Sequence, residues 1–402
     1  MNSSSNNPMD ASSIILSALV ISSIGALFYN LLPMYLGTAQ DSKGLANAEI
    51  GFISTAFFLG YNVVTIWAFY WIRKWNWRWV SLIATPTAAL GLYISTLTDS
   101  YYALLVATAV SGGAFAAIYG IGTTILADTS NPARWMGLKI AAEALFGAIL
   151  FLILPAAAIE SHGFDGMIMG MLIAIGLLSP VLLLLPARGN KTQVQDDREY
   201  LQLELQPASI NQQAIWSALL ATLIFFSGIS AVWAFMERLG NSAGFDPDDI
   251  GILLAAALGF ATLGSLAAAG IGRRYGNIRP FLVSLLLIAA SLLLLADSSS
   301  MPIYSMGCCL FALAFGAGLP FAIAEIAELD VDGRYVILSV PAVGMGAMIG
   351  PGAAGLLYTG ESVLLILGLV AAAMAIAAGL MWRAHSYKSL LDPLAQTTIP
   401  AA

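Results

Sequence analysis

The sequence predicts an all-α membrane protein whose twelve transmembrane helices form two pseudo-symmetric six-helix bundles. Composition, the count of apolar segments and a repeat at one fixed offset lead there. The 402 residues are 59% hydrophobic and only 10% charged, with a mean hydropathy of +0.84. A soluble domain carries roughly 25% charged residues, so this chain has too few to cover a soluble surface. The net charge of -7 is spread over short loops, and no basic cluster of nucleic-acid type occurs.

A helix crosses a bilayer with about 20 mostly apolar residues. Twelve segments qualify: 12–36, 50–72, 78–97, 101–127, 135–158, 166–186, 213–238, 250–271, 279–296, 302–328, 335–358 and 362–383. The longest polar interval, 187–212, divides them six and six. The expected organisation is therefore a bundle over 1–186, a cytoplasmic linker over 187–212, a second bundle over 213–384 and a cytoplasmic tail over 385–402. Within the linker, Asp196 to Leu205 reads as a short amphipathic helix or as solvated chain. Basic residues orient the chain. With both termini in the cytoplasm, 14 of the 16 Lys and Arg lie on that side or just inside its edge, leaving Lys43 and Arg238 across the membrane. An integral protein of the plasma (cytoplasmic, inner) membrane is expected. The start, MNSSSNNPMDASS, lacks a basic region and a cleavage site, so no removable signal peptide is expected. Cys308 and Cys309, adjacent in an apolar run, read as buried reduced thiols.

The halves match at an offset of 200 residues. Glu49-Ile50-Gly51 recurs as Asp249-Ile250-Gly251, Arg73-Lys74-Trp75 as Arg273-Arg274-Tyr275, and Arg134-Trp135 as Arg334-Tyr335. Each match sits at the same place in a six-span half. Parallel repeats of this kind build transporters with a central site near the membrane midplane.

The six-plus-six count, the long central loop and the basic loops after spans 2 and 8 resemble the major facilitator superfamily along residues 12–384. The family loop reads Gly-x-x-x-Asp-Arg-x-Gly-x-Arg. RKWNWR has Arg73 in place of the acid and Asn76 in place of Gly; RRYGNIR keeps Gly276 and Arg279 but has Arg273 for the acid. The run Gly346 to Gly355, with Gly350, Pro351 and Gly352, is similar to the span-5 motif of the family's drug/proton antiporters but sits in span 11. There, close helix approach and a proline kink are the better reading. The resemblance implies a monomer, alternating access, and a cavity lined by spans 1, 4, 7 and 10.

Ionisable residues inside a membrane are costly and mark pathways or relays. Glu143 stands nine residues after Arg134, about 13 Å into its helix. There it should be neutral, paired or facing a water-filled cavity, which suits a proton carrier. An interhelical contact that fixes packing is the alternative. Glu325 in span 10 would serve gating or proton coupling, facing the cavity or its cytoplasmic gate, or else is an interfacial carboxylate with no special role. Glu237 ends a stripe of Thr222, Phe226, Ser230 and Trp233 on span 7, where it serves coupling or, with Arg238, anchors the membrane edge. Candidate substrate contacts are Tyr29, Asn30, Asn62, Phe115, Tyr119, Trp233, Phe311 and Phe315. Candidate gating residues are Asp128 and Arg134 at one cytoplasmic corner and Glu328, Asp330 and Arg334 at its repeat equivalent; the two corners would exchange salt bridges as that side closes.

No phosphate-cradling Gly-Lys-Ser/Thr loop, metal-ligand cluster or Ser/His/Asp set is evident, so enzyme chemistry, cofactors and bound metal are not expected. His162 and His385 fall outside the predicted core. The expectation is a secondary active transporter for a small organic solute, with a proton, or else sodium, as coupling ion. The absent span-5 antiporter motif favours uptake by symport over antiport efflux of drug-like or lipid-like compounds. A non-transporting sensor or assembly partner is the reading of another class, disfavoured because no large soluble domain accompanies the membrane part.

Overall fold

The computed structural model describes residues 7–130, 132–189, 212–297, 299–330, 335, 338–358 and 363–397. Among them there is no strand. Twelve crossings follow one another: α1 (Ser12–Asn30, continued by Leu32–Lys43), α2 (Asn47–Trp71), α3 (Trp77–Leu97), α4 (Tyr101–Ala127), α5 (Pro132–Leu154), α6 (Glu160–Leu178), α7 (Gln212–Ser242), α8 (Pro247–Ile271), α9 (Ile278–Ala296), α10 (Met301–Leu329), α11 (Ser339–Leu357) and α12 (Leu364–Thr397). The repeat is explicit in the helix ends: α2 and α8 begin and end 200 residues apart. The terminal face carries both termini; the far face lies opposite.

Length and apolarity alone resolve eleven candidate spans among the described residues, because Leu138–Leu184 reads as one run of 47 residues. A single helix of that length would reach about 70 Å, over twice the hydrocarbon thickness. The run is broken by a wide π turn at Pro155–Ile159 and by Gly163, whose φ of 53° and ψ of -131° only glycine adopts easily. Two crossings result.

Several helices outrun their apolar segments. The first is interrupted at Leu31, ahead of Pro33, and continues to Lys43; α7 continues to Ser242 and α12 to Thr397. Apolarity marks the bilayer boundary, whereas a helix ends where its backbone bonds run out. Residues 190–211, with the Asp196–Leu205 stretch, lie outside the described residues.

The outer surface is apolar: Leu97, Tyr102, Leu177, Leu286 and Leu293 are each at least 66% exposed. Such a surface belongs in hydrocarbon. Trp75, Trp79, Trp216 and Trp382, all over half exposed, ring the terminal face at headgroup level.

Within each half, helices approach through small residues. A Cβ on Gly60 of α2 would sit 1.9 Å from the Ala109 carbonyl of α4, and one on Gly264 of α8 would sit 2.1 Å from the Leu313 carbonyl of α10. The Gly346–Gly355 run does the same on two sides. Gly346 and Gly350 press on Leu223 and Ser227 of α7, while Gly355 presses on Asn47 and Gly51 of α2. It is a packing element that joins the two halves. Gly60→Leu should therefore cost about 1–3 kcal/mol, read as a lowered unfolding midpoint in detergent. Gly176→Ala, with nothing within 4 Å of the added carbon, should leave the midpoint unchanged or slightly raised.

Candidate substrate and coupling site

Glu143 is not alone. One turn earlier on α5, Lys139 places Nζ 2.8 Å from Glu143 Oε1, and both residues are buried. The contact is an ion pair of opposite charges rather than a well-aligned hydrogen bond. The same ammonium stands 3.7 Å from the ring centroid of Tyr119 on α4. Carboxylate and ring face both compensate a cation that has left water. From α1, Asn30 donates through Nδ2 to the Glu143 carbonyl at 2.9 Å, pinning α1 to α5. One turn further along, Gly147 lies between Asn30 of α1 and Leu258 of α8. The pair therefore occupies the stripe of α5 that meets the other bundle. The spacing of four residues between Lys139 and Glu143 is the signal in the sequence that points to this pairing.

An aromatic row runs from this pair to the other bundle. Tyr119 is 6.2 Å from Tyr61, Tyr61 is 5.9 Å from Phe58, Phe58 is 5.9 Å from Tyr29, and Tyr29 is 6.0 Å from Phe226 of α7. Trp233 donates through Nε1 to the Tyr29 carbonyl at 2.9 Å and meets Phe151 edge-on. Ser230 bonds the Gly346 carbonyl, the repeat counterpart of the Asn30 bond. The span-7 stripe thus faces α1 and α11. Asn62 is buried 5% exposed beside Gly344 of the opposite bundle, and among the described residues neither of its amide atoms has a hydrogen-bond partner. Phe115 is fully buried against Phe57, a packing position; Phe311 is fully buried, and Phe315, its ring 6.5 Å away, is half-buried. Phe58 and Lys139 join the candidate set from the structure, and Tyr61, beside Asn62 on the second span, falls within it.

At the far face, Arg238 of α7 grips Asp41 of α1 with two hydrogen bonds of 2.7 and 2.6 Å. Glu237 is wedged against Gly37, its own repeat equivalent, 3.8 Å from Arg238. Asn47 donates to the Tyr358 carbonyl at 2.8 Å, tying α2 to the end of α11. Glu237 thus belongs to a clamp between the halves.

The family model for the Major Facilitator Superfamily matches residues 14–328. The chain belongs to the major facilitator superfamily. No curated protein sequence matches it significantly. Solved structures with the same fold include a D-xylose-proton symporter (13% identity, TM-score 0.75, 92% of this chain and 97% of that one). The nucleoside transporter NupG matches at 13% identity and TM-score 0.68, over 93% of this chain and 98% of that one. A bacterial homologue of the human lysosomal transporter Spinster, in an inward-facing and unoccupied conformation, matches at 15% identity and TM-score 0.67, over 94% and 95%.

In this superfamily member the described partners of Asp128 at the terminal-face corner lie in its own bundle. Asp128 accepts from Arg73 Nη1 and Nη2 at 2.5 and 3.0 Å, and its carbonyl accepts from Asn7 at 2.7 Å. Arg73, the residue standing where the family has an acid, thus has an acid partner at the end of α4. Arg134 lies in α5, its side chain outside the described set, and Arg334 is outside the described residues. Asp330 closes α10 and accepts from the Tyr335 backbone at 2.7 Å, with half-buried Glu328 one turn-half before it. Glu325 of α10 has a partner on another helix. It is 1% exposed, and its Oε1 lies 2.8 Å from His385 Nδ1 of α12. It is paired inside the carboxy-terminal bundle because α12 continues past the bilayer edge, and the same extension brings His385 onto the bundle. His385 itself keeps 37% of its side chain exposed, at the edge of the buried core that holds Glu325.

Two outcomes follow from these pairings. Asp41→Asn should loosen the far-face clamp by about 0.5–1 kcal/mol, since Asp41 is largely exposed. Cysteine accessibility at the Tyr29–Trp233 level from the far face should then rise roughly two- to fivefold. His385→Ala removes the partner of a buried carboxyl and should cost about 1–3 kcal/mol, measured as a lowered unfolding midpoint, with His385→Gln restoring part of it.

Proposed function

We propose that this protein is a secondary active transporter that moves a small organic solute by alternating access, with proton-coupled uptake as its direction. The observation that carries this reading is the buried Lys139–Glu143 pair on the α5 stripe at the meeting of the bundles. A carboxylate there can hold a proton in transit and release its counter-charge when it does so. The aromatic row from Tyr119 to Phe226 supplies planar faces on both bundles, as a solute of small aromatic or amphipathic type needs. Asn30, Asn62, Trp233 and Phe315 are the further contacts proposed, and Phe115 and Phe311 support them from within. The far-face clamp of Asp41, Glu237 and Arg238 is the gate on one side. The corner of Asp128, Arg134, Glu328, Asp330 and Arg334 is the gate on the other. The xylose neighbour is named a proton symporter, which agrees with this direction.

In this reading the terminal face is cytoplasmic, the membrane is the cytoplasmic (inner) one, and the working unit is a monomer. The test is uptake into proteoliposomes under an imposed pH gradient, screened over solutes, with wild type beside Glu143→Gln. The variant should lose uphill accumulation while keeping downhill exchange. Wild-type accumulation by the variant would make Glu143 a packing residue and move the coupling role to Glu325 or Glu237.

A further inference from the structure

Lys139 is a buried cation whose compensation comes from two groups only among the contacts described: the Glu143 carboxylate at 2.8 Å and the Tyr119 ring at 3.7 Å. Its side chain is 5% exposed. Protonating Glu143 leaves that ammonium with a ring face alone. A buried charge stripped of its partner is strongly unfavourable, so the protonated site demands a replacement anion at Lys139 Nζ. A carboxylate on a solute is the group that fits, because it supplies the negative charge that protonated Glu143 no longer offers.

The surroundings narrow the class further. Around the pair, Tyr119 of α4 faces Lys139, Tyr61 of α2 lies 6.2 Å from Tyr119, and the Asn30 amide of α1 holds the Glu143 backbone carbonyl; α8 contributes the apolar Leu258 one turn away. No second cation is described at the pair, so a single negative charge is matched and a polyanion is not. The neighbouring surface is aromatic, with Tyr61, Phe58, Tyr29 and Phe226 in succession. Aromatic faces favour a planar apolar body.

We infer that Lys139 is the recognition residue for an organic monocarboxylate with an aromatic body, and that this anion and the Glu143 carboxylate compete for the one ammonium. The inference rests on the transport reading above and deepens it. One proton on Glu143 and one carboxylate on Lys139 leave the charge of the site unchanged, so proton and anion travel together without net charge.

The experiment is equilibrium binding and thermal stabilisation of the purified full chain with three probes of one shape: benzoate, benzamide and benzylamine. Benzoate should bind the wild type, more tightly at mildly acidic than at mildly alkaline pH, and the neutral and cationic probes should not. Lys139→Gln should weaken benzoate roughly tenfold or more. Glu143→Gln, which keeps the lysine and needs no proton, should bind benzoate about equally at both pH values. Equal binding of benzamide or benzylamine, no benzoate binding, or an unchanged pH dependence in Glu143→Gln each overturns the inference. Gradient-driven uptake that persists while benzoate fails leaves proton coupling standing without the anion site. Lys139-dependent benzoate binding in a protein whose uptake ignores the gradient does the reverse.

Discussion

A bilayer offers no water to an unpaired polar group, and this chain meets that constraint almost entirely with its own atoms. Helices satisfy the backbone. Buried hydroxyls turn back onto the preceding turn, as in Ser22 to Ala18, Thr38 to Met34, Thr108 to Leu104 and Thr222 to Ala218. With these hydroxyls settled inside their own helices, much of the association is left to packing, and glycine lets backbones approach until carbonyls touch the neighbouring helix. The Gly346–Gly355 run shows the result, one helix pressed against a partner in each half.

Against that background the exceptions carry the chemistry. Lys139–Glu143, Glu237 beside Arg238–Asp41, and Glu325–His385 are the pairings of buried ionisable groups described at and beneath the meeting of the halves. Each sits in a different place. The first lies on the stripe where the halves meet, the second clamps the far face across the halves, and the third stays within one half. A charge clamp across a seam joins the two halves; a pair inside one bundle stiffens that bundle. The candidate site is thus spread over α1, α2, α4, α5 and α7, and it is completed only when the two repeats face one another.

Some of this was legible beforehand because it is local. The apolar runs and the offset of 200 residues report bilayer thickness and duplication, neither of which needs a partner helix. Glu143 stood out because a carboxylate amid thirteen mostly apolar residues is costly wherever the helix points. Its partner stood four residues away, yet a lysine near a membrane edge reads as an anchor until the helix tilt and burial are known. Asp41 and His385 were harder still. Both lie where apolarity ends but the helix continues, so the residues reached by that extra length were not visible in the pattern.

By itself the sequence determined the class, the twelve crossings and their six-plus-six repeat, since hydrocarbon thickness and helix rise leave few alternatives. It also determined which charges would be expensive. Only the tertiary structure decided how each is compensated, because partners such as Asp41 with Arg238, or Glu325 with His385, are 197 and 60 residues apart in the chain. It likewise decided that Phe115 packs inside a bundle while Tyr61, Phe58 and Phe226 extend the aromatic row. Which face of a helix meets a neighbour depends on helix rotation, and where nearly every face is apolar that rotation is set by close packing at small residues rather than by any polar stripe.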